Sequence, residues 1–262
     1  MYKRQGYDHT CAILDNGNLS CWGSDSYGAL GVGGTVYGYE VSPTPVDLGT
    51  GRTAVAVSAG KMFTCAILDN GDLKCWGYDS RGQLGDGGGF TNTNAPSSTA
   101  IDLGMGRTAV AVSAGWEHAC AVLDNGSLKC WGDDNFGTLG DGPSAPYYTD
   151  APSSTPIDLG NGRTAVAVSA GGDHTCAILD NGDMKCWGRD NEGQLGDGGT
   201  THTSTTWTTE PSSTPIDLGT DRTAVAVSAS LMSHSCAILD NGEAKCWGLS
   251  LIHISEPTRL SW

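Results

Sequence analysis

The stretch Ala167-Val-Ser-Ala-Gly-Gly-Asp-His-Thr-Cys-Ala-Ile-Leu-Asp-Asn-Gly-Asp-Met-Lys-Cys-Trp-Gly-Arg-Asp-Asn-Glu-Gly-Gln-Leu-Gly-Asp-Gly198 decides the fold. It holds two cysteines flanking an Asp-Asn-Gly turn, with Trp-Gly directly after the second. Cys-Ala-Ile-Leu-Asp-Asn-Gly, or a near copy, begins at Cys11, Cys65, Cys120, Cys176 and Cys236, at offsets of 54, 55, 56 and 60 residues. Each copy runs on to Cys-Trp-Gly, at Trp22, Trp76, Trp131, Trp187 and Trp247. Upstream of the last four lies Arg-Thr-Ala-Val-Ala-Val-Ser-Ala, from Arg52, Arg107, Arg163 and Arg222, preceded by Asp-Leu-Gly at Asp47, Asp102, Asp158 and Asp217. Units that recur at a fixed spacing form stacked arrays, because a single unit cannot bury its own apolar face.

Each unit reads as strands. Thr53 to Ala59 alternates small residues with Val55 and Val57 at period two. Cys65–Leu68 and Asp72–Trp76 flank Asp69-Asn70-Gly71, a hairpin signal. Ala100 to Leu103 predicts a further short strand, and no segment shows a helical period. Three to four short strands per unit predict an all-β fold, a partial and open β-propeller of about four to five blades. The blades are expected at about 6–42, 43–97, 98–153, 154–212 and 213–248.

Composition narrows the function. The formal charge of −15 argues against nucleic acid, whose phosphates need clustered Lys and Arg, and against anionic lipid. No apolar run reaches the length of a spanning helix, so membrane insertion is not expected.

Both ends depart from the repeat. One allowed coding of Leu-Ser-Leu-Ile-His (249–253), reverse-complemented, encodes Met-Tyr-Lys-Arg-Gln (1–5), and the pair resembles a sequencing adapter. Residues 1–5 and 249–262 are therefore expected to be a non-native leader and tail, leaving 6–248 as propeller repeats cut at both sides. On that expectation His253 and Glu256 carry no function, and a signal peptide would not be visible.

The Gly-x-x-His spacing, the hairpin glycine, Trp-Gly and Gly-Gln-Leu-Gly, all in register between Ala167 and Gly198, resemble the regulator of chromosome condensation repeat. The resemblance covers nearly all of residues 6–248 and implies a propeller, most often of seven blades. The chain then looks like a fragment lacking two or more blades. Members of that family include an exchange factor for a small GTPase, ubiquitin-ligase modules and secreted inhibitors, so the resemblance implies fold rather than function. The acidity and the cysteines oppose the nuclear role.

The ten cysteines form five pairs at i and i+10: Cys11 with Cys21, Cys65 with Cys75, Cys120 with Cys130, Cys176 with Cys186, and Cys236 with Cys246. With Asp69-Asn70-Gly71 as a three-residue loop, Leu68 faces Asp72 and Cys65 faces Cys75 at a non-hydrogen-bonded position. There Cα atoms lie ~4.5 Å apart, near the short end of what a disulfide accepts. Zinc is the rival, but structural zinc sites favour cysteines two to four residues apart. The expectation is five disulfides rather than free thiols or metal, and these would fit an extracellular or periplasmic compartment.

His9, His118, His174 and His234 recur at one place, where the second unit carries Phe63. A ring replaceable by Phe reads as packing. The Cys-Trp-Gly tryptophans read as core or inter-blade anchors. Asp133-Asp134-Asn135 and Asp190-Asn191-Glu192 are oxygen-rich but lack EF-hand or nonapeptide spacing, so calcium is a lesser alternative to turn chemistry. No Gly-x-Ser-x-Gly, His-Glu-x-x-His or phosphate loop is present. No catalytic residue, metal or cofactor is implied, and the expectation is a non-enzyme.

The copies differ in three places. After Ala-Gly stand Tyr7-Asp8, Lys61-Met62, Trp116-Glu117, Gly172-Asp173 and Leu231-Met232-Ser233. After Trp-Gly stand Tyr27, Arg81, Phe136 and Glu192. The long linkers hold Tyr37, Tyr39, Phe90, Tyr147, Tyr148 and Trp207. Variable turns bearing Trp, Tyr and Met on fixed strands are the usual material of binding surfaces. The candidate binding residues are Tyr7, Asp8, Lys61, Met62, Trp116, Glu117, Asp173, Leu231 and Met232, with the acids steering a basic protein partner. A purely structural array is the alternative, and an enzyme with an unrecognised site the third reading.

Overall fold

The computed structural model describes residues 2–34, 44–143, 146–199 and 207–249. Tyr37, Tyr39, His253 and Glu256 lie outside the described residues. Among the described residues the chain forms five antiparallel sheets of three or four strands, an open arc of propeller blades. The second blade runs through Ala54–Ala59, Phe63–Leu68 and Leu73–Gly77. The third runs through Ala109–Ala114, His118–Leu123 and Leu128–Asp133, the fourth through Ala165–Ala170, His174–Leu179 and Met184–Arg189. Ala224–Ala229, His234–Leu239 and Ala244–Gly248 make the fifth.

The hairpin follows the sequence. Cys65 pairs with Cys75 and Ile67 with Leu73 around the turn, and Leu68 N–H donates to the Asp72 carbonyl at 2.8 Å. All five i, i+10 pairs are disulfides, with Cα separations of 4.0 to 4.1 Å.

Tyr2–Gln5 pairs with His9–Ile13 and takes the place of the first strand in the first blade. Two local expectations are corrected. Ala100–Leu103 is not a strand. It makes one ladder-like bond, Ile101 N–H to the Leu73 carbonyl, then turns away to bury Leu103 between blades. The fourth strand is instead Tyr148–Thr149 and Trp207–Thr208, with a single bridge from Thr93 to Gly77 in the second blade. Finally, Val55 and Val57 do not share a face. The pairing slips between Ala54 and Ala56, so Val55 is exposed while Val57 is buried. A bulge adds one residue and reverses the alternation beyond it.

The core lies between blades, not within them. Between the second and third blades, Phe63, Cys65, Ile67, Leu73 and Cys75 of one face meet Ala109, Ala121, Leu123 and Trp131 of the next. Equivalent layers fill the other three boundaries. Four of the five Cys-Trp-Gly indoles donate across the boundary to a loop carbonyl of the preceding blade: Trp76 to Ala29, Trp131 to Gln83, Trp187 to Thr138 and Trp247 to Gln194, all near 3 Å. A Cβ at Gly85 would stand 2.4 Å from the Trp131 indole nitrogen, which explains the last glycine of Gly-Gln-Leu-Gly. Ser58, Ser113 and Ser169 accept the N–H of Ala114, Ala170 and Ala229 in the next blade's first strand.

The far face of the fifth blade has no covering blade among the described residues. Ile238 is 39% exposed there, against 2% for Ile67 and Ile178. Cys246 is exposed too, whereas the other four disulfides are buried. Access controls thiol–disulfide exchange. Under limiting reductant, Cys236 and Cys246 should therefore be alkylated about tenfold faster than the other eight, as read by mass spectrometry of timed samples. Uniform labelling of all ten would contradict the burial difference.

Candidate functional site

The turns between first and middle strands emerge on one side and are stitched together. Tyr7 N–H donates to the Gly60 carbonyl (3.3 Å), Lys61 to Gly115 (3.1 Å), Trp116 to Gly171 (3.0 Å) and Gly172 to Ser230 (3.0 Å). Each turn is thus one rung of a row that crosses all five blades. A Cβ on Gly115 would lie 2.4 Å from the Gly171 carbonyl oxygen, so the row's close approach requires glycine. The loops after Trp-Gly rise beside it: Ser24, Tyr78, Asp133 and Arg189 donate their N–H to Asp8, Met62, Glu117 and Asp173. The first two variable places therefore share one face.

The row is more tightly paired than its sequence suggests. The Lys61 ammonium sits 4.3 Å from the Trp116 ring centroid. Trp116 is half-buried, and its Nε1 has no hydrogen-bond partner. Glu117 meets Lys61 at 3.8 Å and Arg81 at 3.6 Å, Arg81 also meets Asp133 at 3.6 Å, and Asp173 meets Arg189 at 2.9 Å. Glu117 and Asp173, two of the acids expected to steer a basic partner, therefore each lie within ion-pair distance of a neighbouring cation. Tyr7, Asp8 and Met232 stand exposed, and Met62 and Leu231 are half-buried. A cavity of about 210 Å³ opens between Asp8, Tyr27, Lys61 and Met62.

The second variable place is explained by cross-boundary pairs. Tyr27 packs on Tyr78 with centroids 4.6 Å apart, Arg81 binds Asp133, and Phe136 lies 4.8 Å under the Arg189 guanidinium. In each pair the loop residue of one blade meets the residue after Trp-Gly in the next. The sequence held the signal: residues at these two places change together from unit to unit. The third place forms rim contacts, Phe90 with Tyr148 and Phe136 with Trp207.

The recurrent histidines are structural, through partners the sequence reading missed. His9, His118 and His174 reach across to Thr64, Thr175 and Ser235 at 2.8 to 2.9 Å. Those hydroxyls donate to the carbonyls of Ala29, Thr138 and Gln194, so each imidazole must donate from Nε2. Where Phe63 replaces histidine, Ala119 replaces the hydroxyl, and this paired change was legible too. Burial holds His9 and His174 down at about 4 and His118 at about 3, with the neighbouring histidine charge a second cause for His118 and His174.

Three carboxyls are pushed up, Asp79 and Asp134 to about 7 and Asp133 to about 6, chiefly by burial. Such groups are candidate catalysts. Yet Asp79 and Asp134 each accept the N–H of the leucine five residues on, Leu84 and Leu139, and Asp25 and Asp190 do the same with Leu30 and Leu195. A contact repeated in four blades is turn architecture. Among the described residues no group of three or more His, Cys, Asp or Glu side chains could hold a metal ion.

Comparison with known proteins places this architecture. A family described as "Regulator of chromosome condensation (RCC1) repeat" matches residues 5–29, 54–83, 109–138 and 165–194, and a second profile of the same description matches 70–122 and 125–178. The ultraviolet-B receptor UVR8 of Arabidopsis thaliana is 30% identical over 193 residues, 74% of this chain and 42% of the receptor. Human WBSCR16 superposes with a TM-score of 0.79 at 21% identity, covering 95% of this chain and 61% of that one. Prp20p of Saccharomyces cerevisiae gives 0.78 at 20% identity, covering 98% and 59%. The chain thus spans less than two thirds of each.

Proposed function

We propose, for a chain that belongs to the regulator of chromosome condensation (RCC1) repeat family, that it is a non-enzymatic binding module working in an extracellular or periplasmic compartment. A protein partner docks on the face built by the first-to-middle turns. The observation that carries this reading is the row of turn-to-turn hydrogen bonds. It holds Tyr7, Lys61, Trp116 and their neighbours on a rigid frame, where a preorganised surface loses little entropy on binding. Five disulfides support an oxidising compartment. Binding to proteins has precedent in the family: Prp20p is described with binding properties towards Gsp1p and histones.

The test is capture of partners from an extracellular protein pool on the immobilised chain, followed by affinity measurement with variants. Tyr7→Ala, Trp116→Ala and Met232→Ala should each weaken binding about tenfold, as for anchors at a protein interface. Met105→Ser, fully exposed beside the hairpin ends on the opposite side, should leave it unchanged. Intact affinity in all three face variants would remove this face from the proposal. A purely structural array is favoured by one observation, the cross-boundary pairing of the Trp-Gly loops, which accounts for their variation without a ligand. On that reading the three face variants alter only stability.

A further inference from the structure

The outer strand carries an aromatic ring in two blades and an amide in a third. Tyr148 stands opposite Asp133, and Trp207 opposite Arg189. Each ring meets the variable loop residue of the preceding blade. The Arg81 guanidinium lies 5.8 Å from the Tyr148 centroid, and the Phe136 ring 6.3 Å from that of Trp207. One blade earlier the bridge from Gly77 to Thr93 fixes the same register, and the residue facing Tyr78 is Asn92. The loop residue that a ring would meet there is Tyr27, which is 39% exposed. Tyr78 flanks it on one side. Where the other blades supply a ring, a cleft of about 510 Å³ opens, lined by Asp25, Ser26, Tyr27, Asn92, Thr93 and Asn94.

The lining selects the ligand class. Among the described residues no Lys or Arg lines the cleft, which disfavours phosphate or carboxylate. Asp25, the one carboxylate among the described lining residues, already accepts the Leu30 N–H, and one carboxylate does not make a cation site. The described lining, apart from Tyr27, is polar or glycine and forms no apolar pocket for a peptide side chain. The described lining therefore offers one aromatic ring beside hydroxyl and amide groups that both donate and accept. Asn92 is fixed by accepting the Asp79 N–H through Oδ1 at 2.8 Å, which leaves its NH2 as donor. The Thr93 hydroxyl is buried without a partner, as are those of Thr149 and Thr208 at the same register, so it belongs to the outer strand and does not itself point to a ligand.

We propose that the cleft between the first and second blades binds a neutral saccharide. A pyranose ring lays its C–H face against Tyr27, in the place that Tyr148 and Trp207 fill elsewhere, and Ser26, Asn92 and Asn94 take its hydroxyls. The volume falls within the range of small-ligand sites, about 300–1,000 Å³.

The whole chain is titrated calorimetrically with cello-, chito-, malto- and xylo-oligosaccharides of two to six units. At least one series should bind with a dissociation constant between about 0.1 and 10 mM. Asn92→Tyr, which restores the ring of the next blade, should weaken that binding about tenfold or more. It also removes the Oδ1 acceptor of the Asp79 N–H, so its thermal midpoint should fall, and binding is compared at a temperature where circular dichroism shows both chains folded. Tyr27→Ala should weaken it similarly, and Tyr147→Ala, exposed but outside the cleft, should not. Should Tyr27→Ala prove unstable, Asn92→Tyr alone decides. The proposal is overturned if no sugar binds at about 10 mM, or if binding survives Asn92→Tyr.

Discussion

Replacing Cys120 and Cys130 together by alanine should cost about 3 kcal/mol of stability. Reducing all five bonds should unfold the chain at room temperature. Each bond closes an eleven-residue loop, and the chain-entropy relation gives about 2–3 kcal/mol for a loop of that length. Five such contributions exceed about 10 kcal/mol, which is comparable with the total stability of an ordinary domain. The bonds also line the inter-blade layers, with Cys65 and Cys75 in the core between second and third blades, so separated thiols would disturb packing as well. Denaturant unfolding of the paired-alanine variant measures the first effect, and circular dichroism before and after reduction the second. Peptide mapping without reductant should recover five local links. Links between units, or a fully reduced chain with its melting unchanged, would contradict the assignment.

The second large effect is on acid stability. His9, His118 and His174 titrate at about 4, 3 and 4 in the folded chain and near 6.5 when unfolded. Between those values the unfolded chain holds more protons, so the histidine contribution is full above pH 6.5 and is lost as pH falls towards 4. A shift of this size corresponds to about 3 kcal/mol per histidine. Asp79, Asp133 and Asp134 act oppositely. Their raised values stabilise the folded chain at low pH, and that contribution is lost as pH rises through 6 to 7. The two sets offset one another in the parent protein, so one boundary has to be isolated.

The molecule supplies the control. Its second boundary replaces the histidine–hydroxyl pair by Phe63 and Ala119. The double variant His118→Phe with Thr175→Ala copies that seam at the third boundary. Its loss of stability between pH 7 and pH 4 should be smaller than the parent's by about 3 kcal/mol, measured by denaturant unfolding at each pH. His118→Phe alone leaves the Thr175 hydroxyl without its donor and crowded by a larger ring. It should be less stable than the double variant at pH 7 by about 1–2 kcal/mol. Identical acid limbs in parent and double variant would show that His118 does not titrate in this window.

What the sequence determined by itself was periodic. Five copies of Cys-Ala-Ile-Leu-Asp-Asn-Gly fixed five hairpins, because a three-residue turn ending in a left-handed glycine sets the register of both strands and so brings each cysteine opposite its partner. Strand alternation within a hairpin is a local property, and so is the disulfide that depends on it. Tertiary structure decided what lies outside the hairpin, both within a blade and across a blade boundary. The bulge that turns Val55 outward, the outer strand at Tyr148 and Trp207, and the strand made by Tyr2–Gln5 are pairings outside the hairpin. The ion pairs of Glu117 with Lys61 and Arg81 and the hydroxyl partners of the histidines join residues of neighbouring blades. A repeat presents each unit as if it stood alone. Its core exists only where one unit's face meets the next, so side chains such as Tyr27, Arg81 and Phe136 acquire their roles from a neighbour about 50 residues away.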